Sequence, residues 1–494
     1  MPNDDEEHTM STEARIEPRS DALGVETRTI DYIPENERHG KARNLFTIWF
    51  GGNIMMLSIA TGLLATAVYG LPIWAAIIAL IAGNLIGGVV MALHAAQGPQ
   101  MGVPQMLQTR AQFGSYGSLL VVVIVVGMYV AFFASNVILG GQALDSLTHI
   151  GDFWSTVLVG LISVFGAVFG YRLLHVFGTV MSIVAGLTIA LVFVYIFAAG
   201  TLPASALSYG SVTATGIMGT ISVAALWQIA YAPYVSDYTR YMPKDTGVRA
   251  AFWATFAGCV LGSVIPMVLG SIVGAAFPKD DVATGLSALI PGIAGLAMLV
   301  FGVGISVSNG MNLYCGSLAI ITIGQTLFPK WLPRAVTRGA IAVILFLVAL
   351  VLGFAFSANF LVNLSNLMIL LLCVLIPWTA VNLVDYYAVK HGKYDIASLF
   401  RQDGGIYGRI NRNAVICYVL GILVQLPFLS TAFYTGPIAT ALGGVDISWI
   451  VGLAVICPLY YALMKWAPSK PPVLSGPESA STPLAPSIGT AGAE

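Results

Sequence analysis

Hydrophobic positions fall into long unbroken runs separated by short polar connections. A hydrocarbon core about 30 Å thick needs roughly 20 apolar residues per helix. Twelve runs meet that need, at 45–69, 72–95, 116–144, 153–171, 175–199, 213–236, 251–277, 293–323, 337–356, 359–388, 413–432 and 447–465. They are called helices 1 to 12. A membrane barrel would show alternating segments of about ten residues instead. The pattern therefore predicts an all-α integral membrane protein. A polar segment, 1–44, precedes the twelve-helix domain at 45–466, and a tail at 467–494 is rich in Pro, Ser, Ala and Gly. That tail and much of Met1–Val25 read as disordered cytoplasmic ends. No basic n-region followed by an apolar run precedes helix 1, so that helix is expected to act as its own insertion signal.

Composition agrees with the pattern. Apolar residues make up 57% of the 494 and charged residues 9%, against about 25% charged in a soluble domain. So few charges cannot cover a water-facing surface. A soluble enzyme, a nucleic-acid binder and a disordered protein are excluded, and the lipid bilayer becomes the first partner. The net charge of −1 matters less than where the charges lie. With the N-terminus inside, every one of the 22 basic residues except Lys279 falls in an inside segment. This asymmetry places both termini in the cytoplasm. The five cysteines lie in apolar stretches without metal-ligand or redox spacing, and read as small buried hydrophobes. No nucleophile elbow, zinc-binding His pair or phosphate loop occurs. No enzyme activity, metal or cofactor is expected.

Transport sites form where spanning helices are interrupted and free backbone groups meet a ligand. Helix 1 holds Gly51-Gly52-Asn53 inside an apolar run, and helix 6 holds Pro233 after Trp227-Gln228-Ile229-Ala230-Tyr231-Ala232. Proline removes a backbone donor and clashes one turn back. Alone, each segment also reads as a packing glycine pair or an ordinary proline kink. Together they sit five helices apart, and an odd repeat unit inserts upside down. Inverted repeats at about 45–199 and 213–388 follow, with helices 11 and 12 (413–465) extra. Gly83-x-x-x-Gly87, Gly166-x-x-x-Gly170 and Gly270-x-x-x-Gly274 mark faces for close helix packing.

Polar residues inside the runs are the candidate chemistry. Phe132 and Asn136 in helix 3 stand four apart, on one face. An aromatic plate beside an amide suits a flat heterocycle, because the ring stacks while the amide meets its edge. The alternative is a lipid-facing Phe and an Asn bonded to a neighbouring helix. Helix 8 concentrates Ser306, Ser308, Asn309 and Asn312, which must face protein, water or ligand. Asn363, Ser365, Asn366 and Asn382 in helix 10 read as contacts between helices. Asp237-Tyr238 and Asp385-Tyr386 echo each other near the inner ends of helices 6 and 10. Asp237, with Arg240, reads as a gate or anchor.

Several stretches resemble the purine–cytosine permeases of the nucleobase–cation symporters. They are Val25-Glu26-Thr27-Arg28 with Ile33-Pro34-Glu35-Asn36-Glu37-Arg38, Trp49-Phe50-Gly51-Gly52-Asn53, and Gly102-Val103-Pro104-Gln105-Met106 with Arg110 and Phe113-Gly114. Tyr231-Ala232-Pro233-Tyr234-Val235-Ser236-Asp237-Tyr238-Thr239-Arg240-Tyr241-Met242-Pro243 and Asn309-Gly310-Met311-Asn312-Leu313-Tyr314 complete the set. The resemblance, over about Val25 to Trp466, implies a LeuT-like fold of 5+5 inverted repeats plus two helices, alternating access, and a plasma (inner/cell) membrane location. It implies import of a purine or cytosine by cation symport, with no nucleic-acid partner. Other cyclic nitrogen compounds (hydantoin, allantoin, a thiamine-precursor pyrimidine) and an uncoupled receptor or channel stay open as alternatives. The substrate residues implied are Asn53, Phe132, Asn136, Trp227, Gln228, Tyr231, Asn309 and Asn312. Gly51, Gly52, Ser306, Ser308 and Asp237 are implied in cation binding or gating. Sodium-coupled relatives place two adjacent hydroxyls on helix 8. Here Val307 and Ser308 supply one, so a proton is favoured over sodium, although no central carboxylate offers itself as a carrier. Oligomeric state is not indicated.

Overall fold

A computed structural model describes residues 30–467 apart from 170, 329, 332 and 334, without the side chains of 169–173, 246, 247 and 335. The regions expected to be disordered, and the Val25–Arg28 motif, lie outside the described residues. The described chain is helical, with one isolated bridge between Ser430 and Thr435. Among the described residues nine helices are long and apolar enough to cross a membrane, and the bent pair Ala42–Asn53 and Met56–Val68 makes a tenth. The expected spans at 153–171 and 413–432 fall on the shorter apolar helices Asp152–Val168 and Arg412–Phe428.

The packing has the symmetry of an inverted repeat. Helix 1 lies along helix 7 (Gly247–Ala276), and helix 6 (Ala214–Ile229 with Ala232–Thr239) lies along helix 2 (Ile73–Ala95). Exchanging 1 with 6 and 2 with 7 converts one pair into the other. The same exchange maps helix 3 (Ser118–Thr148) against helix 8 (Ala294–Leu327) onto itself. It also maps helix 1 against helix 5 (Tyr171–Ala199) onto helix 6 against helix 10 (Phe360–Leu383). Small residues allow the closest of these approaches. A Cβ on Gly83 or Gly87 would meet Ala224 or Ala225 of helix 6, and one on Gly270 or Gly274 would meet Ile59 or Leu63 of helix 1. At Gly166 only Leu174 comes near, so no helix crossing forms there, and Gly170 is outside the described residues.

The two interruptions differ. Helix 1 bends by 63°, and the break follows the glycines rather than falling on them. Gly51 and Gly52 remain helical, and Ile54 and extended Met55 are the link. Asn53 ends the first half by donating Nδ2 to Trp49 O at 2.7 Å. Its carbonyl accepts from the Ser58 hydroxyl. Helix 6 is interrupted only at Ala230 and Tyr231 and runs on as one span, without a sharp bend. Pro233 cannot donate to Ile229 O, and the turn tightens so that Tyr231 N reaches Gln228 O at 3.0 Å. Of the two expected interruptions, helix 1 is broken and helix 6 only loosened.

Lipid-facing surface is plain on helices 4, 5 and 9, where Phe165, Leu187 and Val351 are exposed. The polar connections meet one another on one face. Arg38 donates to Pro99 O, Arg110 to Leu399 O and Ser115 to Gln402 O. Loop 2–3, the N-terminal segment and loop 10–11 therefore share a side, as the basic residues require.

Candidate functional site

Three helix pairs of side chains, each spaced i and i+4, converge where helix 1 breaks and helix 6 loosens. They are Phe132 and Asn136 from helix 3, Trp227 and Tyr231 from helix 6, and Ser308 and Asn312 from helix 8. Met55 and Leu57 from the break, with Ala230 and Tyr234 from helix 6, complete the wall. That spacing keeps each pair on one helix face, which is why six residues on three helices reach one point.

Asn136 is the conspicuous member. It is 1% exposed, and neither Oδ1 nor Nδ2 has a hydrogen-bond partner among the described residues. A buried amide left unpaired costs about 1–3 kcal/mol per group. Such a group is open to a ligand that completes the bonding. Around it, Phe132 and Trp227 meet at 6.3 Å between centroids and 85° between planes, and Trp227 and Tyr231 at 6.1 Å and 82°. The void between these side chains is about 10 Å³, room for about one water. A flat ring held between two aromatic faces needs them parallel and roughly 7 Å apart, two contact distances of about 3.5 Å. Edge-to-face rings leave no such slot. Loading a heterocycle therefore requires Phe132 or Trp227 to rotate.

Each remaining amide has at least one protein partner. Asn53 Oδ1 accepts from Trp227 Nε1 at 2.8 Å and from Ser263 Oγ at 2.9 Å. It cross-links the helix 1 break to helices 6 and 7 and fixes the Trp227 ring, but does not line the void. Gln228 points the other way, donating to Asn84 Oδ1 at 2.7 Å on helix 2. Asn309 donates to Phe133 O at 3.5 Å and accepts from Asn312 Nδ2 at 3.3 Å. Asn312 Oδ1 in turn accepts from the Tyr234 hydroxyl. Asn53, Gln228 and Asn309 are thus placed outside the lining, each bonded to a neighbouring helix. Tyr234 was not among the expected site residues. Its only signal in the sequence is its position one residue after Pro233, where the loosened turn presents it inward.

The proposed cation and gating residues are scattered. Gly51 packs against Gly178 and Ser182 of helix 5, whereas Gly52 faces Val307 and Met311 of helix 8. Ser306 lines a separate apolar void between helices 3, 4 and 8, and Ser308 alone of the two lines the central one. Asp237 accepts from Gln105 N at 2.8 Å, at the first residue of the short loop helix Gln105–Phe113. That is an anchor between helix 6 and loop 2–3. Asn382 and Ser365 bond to Gln97 and Tyr69 across elements, as expected, whereas Asn366 accepts from the loop amide of Ala432 and Asn363 donates locally to Phe356 O and Ala358 O.

Residues 32–452 match the family model described as a permease for cytosine/purines, uracil, thiamine and allantoin. The chain belongs to this family. It is 38% identical over 447 residues to the putative purine-cytosine permease YxlA of Bacillus subtilis, spanning 90% of this chain and 96% of that one. It is 22% identical over 477 residues to the purine-cytosine permease fcyB of Emericella nidulans, spanning 92% and 91%. In structure it resembles Mhp1, a nucleobase-cation-symport-1 family transporter solved in a closed conformation with bromovinylhydantoin bound. The TM-score is 0.72 at 18% identity, covering 89% of this chain and 95% of that one. The permease is a multi-pass membrane transporter with a LeuT-like helical fold, and not an enzyme.

Proposed function

We propose that the permease imports a purine or cytosine by proton symport with alternating access, from a plasma membrane in which both its termini face the cytoplasm. The observation that carries the substrate class is Asn136, a buried amide with a free donor and a free acceptor beside Phe132, Trp227 and Tyr231. A nucleobase edge offers the complementary acceptor and donor, and its face offers stacking area. Relatives named purine-cytosine permeases support the same class. Proton rather than sodium coupling is favoured because the helix 8 wall brings one hydroxyl, Ser308, to the void while Ser306 faces elsewhere. A hard cation requires several converging oxygens. Radiolabelled hypoxanthine and cytosine uptake into proteoliposomes tests the reading, with pH and sodium gradients imposed separately. Accumulation driven by the pH gradient, and displaced by unlabelled purines more than by hydantoin or allantoin, is expected. Accumulation driven by sodium alone, or displaced better by hydantoin, would overturn it.

A further inference from the structure

The central site holds no carboxyl, so proton symport needs a carrier elsewhere. At Val384 helix 10 passes into a π-helical turn, Val384–Val389, and Asp385 is its second residue. Turns of this kind are rare and recur at functional positions. Asp385 is 1% exposed. Its Oδ2 accepts from the Tyr394 hydroxyl of loop 10–11 at 2.6 Å, and its Oδ1 from the Tyr460 hydroxyl of helix 12 at 3.0 Å. Among the described residues those are the only two hydrogen bonds of its carboxyl group. Among the described residues no cation stands within ion-pair distance of it.

A carboxylate at this depth is normally paired with a cation or wrapped by several donors. Each oxygen here has one donor and spare acceptor capacity. The titratable and charged groups around it are few. Lys390, further along its own turn, acts only at longer range. Loop 10–11 contributes Tyr394 and Tyr407, and helix 12 contributes Tyr460 with Cys417 of helix 11 beside it. The loop helix Gln105–Phe113 brings Gln112, whose Nε2 lies 3.4 Å from the Tyr394 hydroxyl. Its Arg110 is committed to Leu399 O, Thr322 O and Thr326. Burial and the neighbouring Asp385 push the Tyr394 hydroxyl above its ordinary range, so that Tyr394 stays a donor. Tyr394 is itself half-buried, beside exposed Asp395.

We propose that Asp385 is the site that takes up and releases the coupling proton. The inference rests on the proton-symport reading above. A neutral carboxylic acid must donate with one oxygen, so a protonated Asp385 no longer accepts from both tyrosines. One of the two hydroxyls must turn its hydrogen away and accept from the acid instead, and the charge-assisted bonds to the carboxylate are lost. Protonation thus weakens the junction of helix 10 with loop 10–11 and helix 12. Helix 10 packs against helix 6, and through it the change reaches Trp227 and Tyr231.

The test compares wild type with D385N, D385E and Y394F in proteoliposomes, using radiolabelled hypoxanthine. D385N imitates the protonated acid. It should keep counterflow exchange at equal pH within a few-fold of wild type, yet lose accumulation driven by a pH gradient. D385E should retain both. Y394F removes a donor that favours the charged form, so its accumulation profile should shift to higher pH, by about one unit for one charge-assisted hydrogen bond. Accumulation by D385N equal to wild type overturns the site and leaves proton symport standing. A wild type indifferent to the pH gradient overturns proton symport and the site with it. If D385N does not fold, Y394F decides, and an unmoved pH profile counts against the proposal.

Discussion

Replacing Asn136 with Ala separates a ligand-reading amide from a structural one, because the two make opposite predictions. In the substrate-free protein, both polar atoms of Asn136 are buried without a protein partner. Removing them relieves a desolvation cost and leaves a small void, so the thermal stability of the substrate-free protein should be unchanged or raised. With substrate bound, the same substitution strands one donor and one acceptor on the heterocycle edge. Each costs about 1–3 kcal/mol if nothing replaces its partner. The void already has room for about one water, and the space Ala vacates adds to it, so part of the loss is recovered. A net loss of about 2–3 kcal/mol corresponds to a roughly 30- to 150-fold weaker affinity. Stacking on Phe132 and Trp227 survives, so binding should weaken rather than vanish. Equilibrium binding of labelled hypoxanthine and cytosine, with unfolding of the substrate-free protein followed in parallel, reads both quantities. Unchanged affinity for both bases, or a destabilised substrate-free protein with affinity intact, would refute the reasoning.

Asn53→Ala should behave in the reverse sense. It leaves Trp227 Nε1 and Ser263 Oγ without their acceptor, and unfolding should show a loss of roughly 2–4 kcal/mol before any substrate is added. Tyr234→Phe frees Asn312 Oδ1 from the Tyr234 hydroxyl. Uptake kinetics should show an altered KM ratio between cytosine and hypoxanthine with folded yield preserved, and an unaltered ratio would argue that this bond plays no part in selection. In loop 10–11, the hydrogen-bonded Arg401 guanidinium holds the Asp403 carboxyl at about 2. Its folded value lies below the unfolded one, so its contribution is present above about pH 4 and fades as pH falls through about 2. Limited proteolysis of this loop should therefore show no change from Asp403 between pH 8 and 5, and D403N should open it across that whole range.

The spanning segments were legible because lipid demands long apolar runs, and the inverted repeat because two interruptions lay five helices apart. The pairs Phe132/Asn136 and Trp227/Tyr231 were legible too, since four residues return a helix to the same face. Applied strictly, the same arithmetic sorts helix 8. Ser308 and Asn312 share a face, whereas Ser306, two residues from Ser308, must point nearly opposite, and it does. Helical period also sets Gln228, adjacent to Trp227, toward helix 2. What no period supplies is whether a polar side chain has already found a partner. Asn53, Asn309 and Asn136 are the same residue type in similar apolar runs. Asn53 bonds three partners and Asn309 two, while Asn136 bonds none. Inside a membrane the cost of an unpaired polar group drives most amides into pairs between helices. Of these three, Asn136 alone stays unpaired among the described residues, which is why the proposed substrate contact is placed on it.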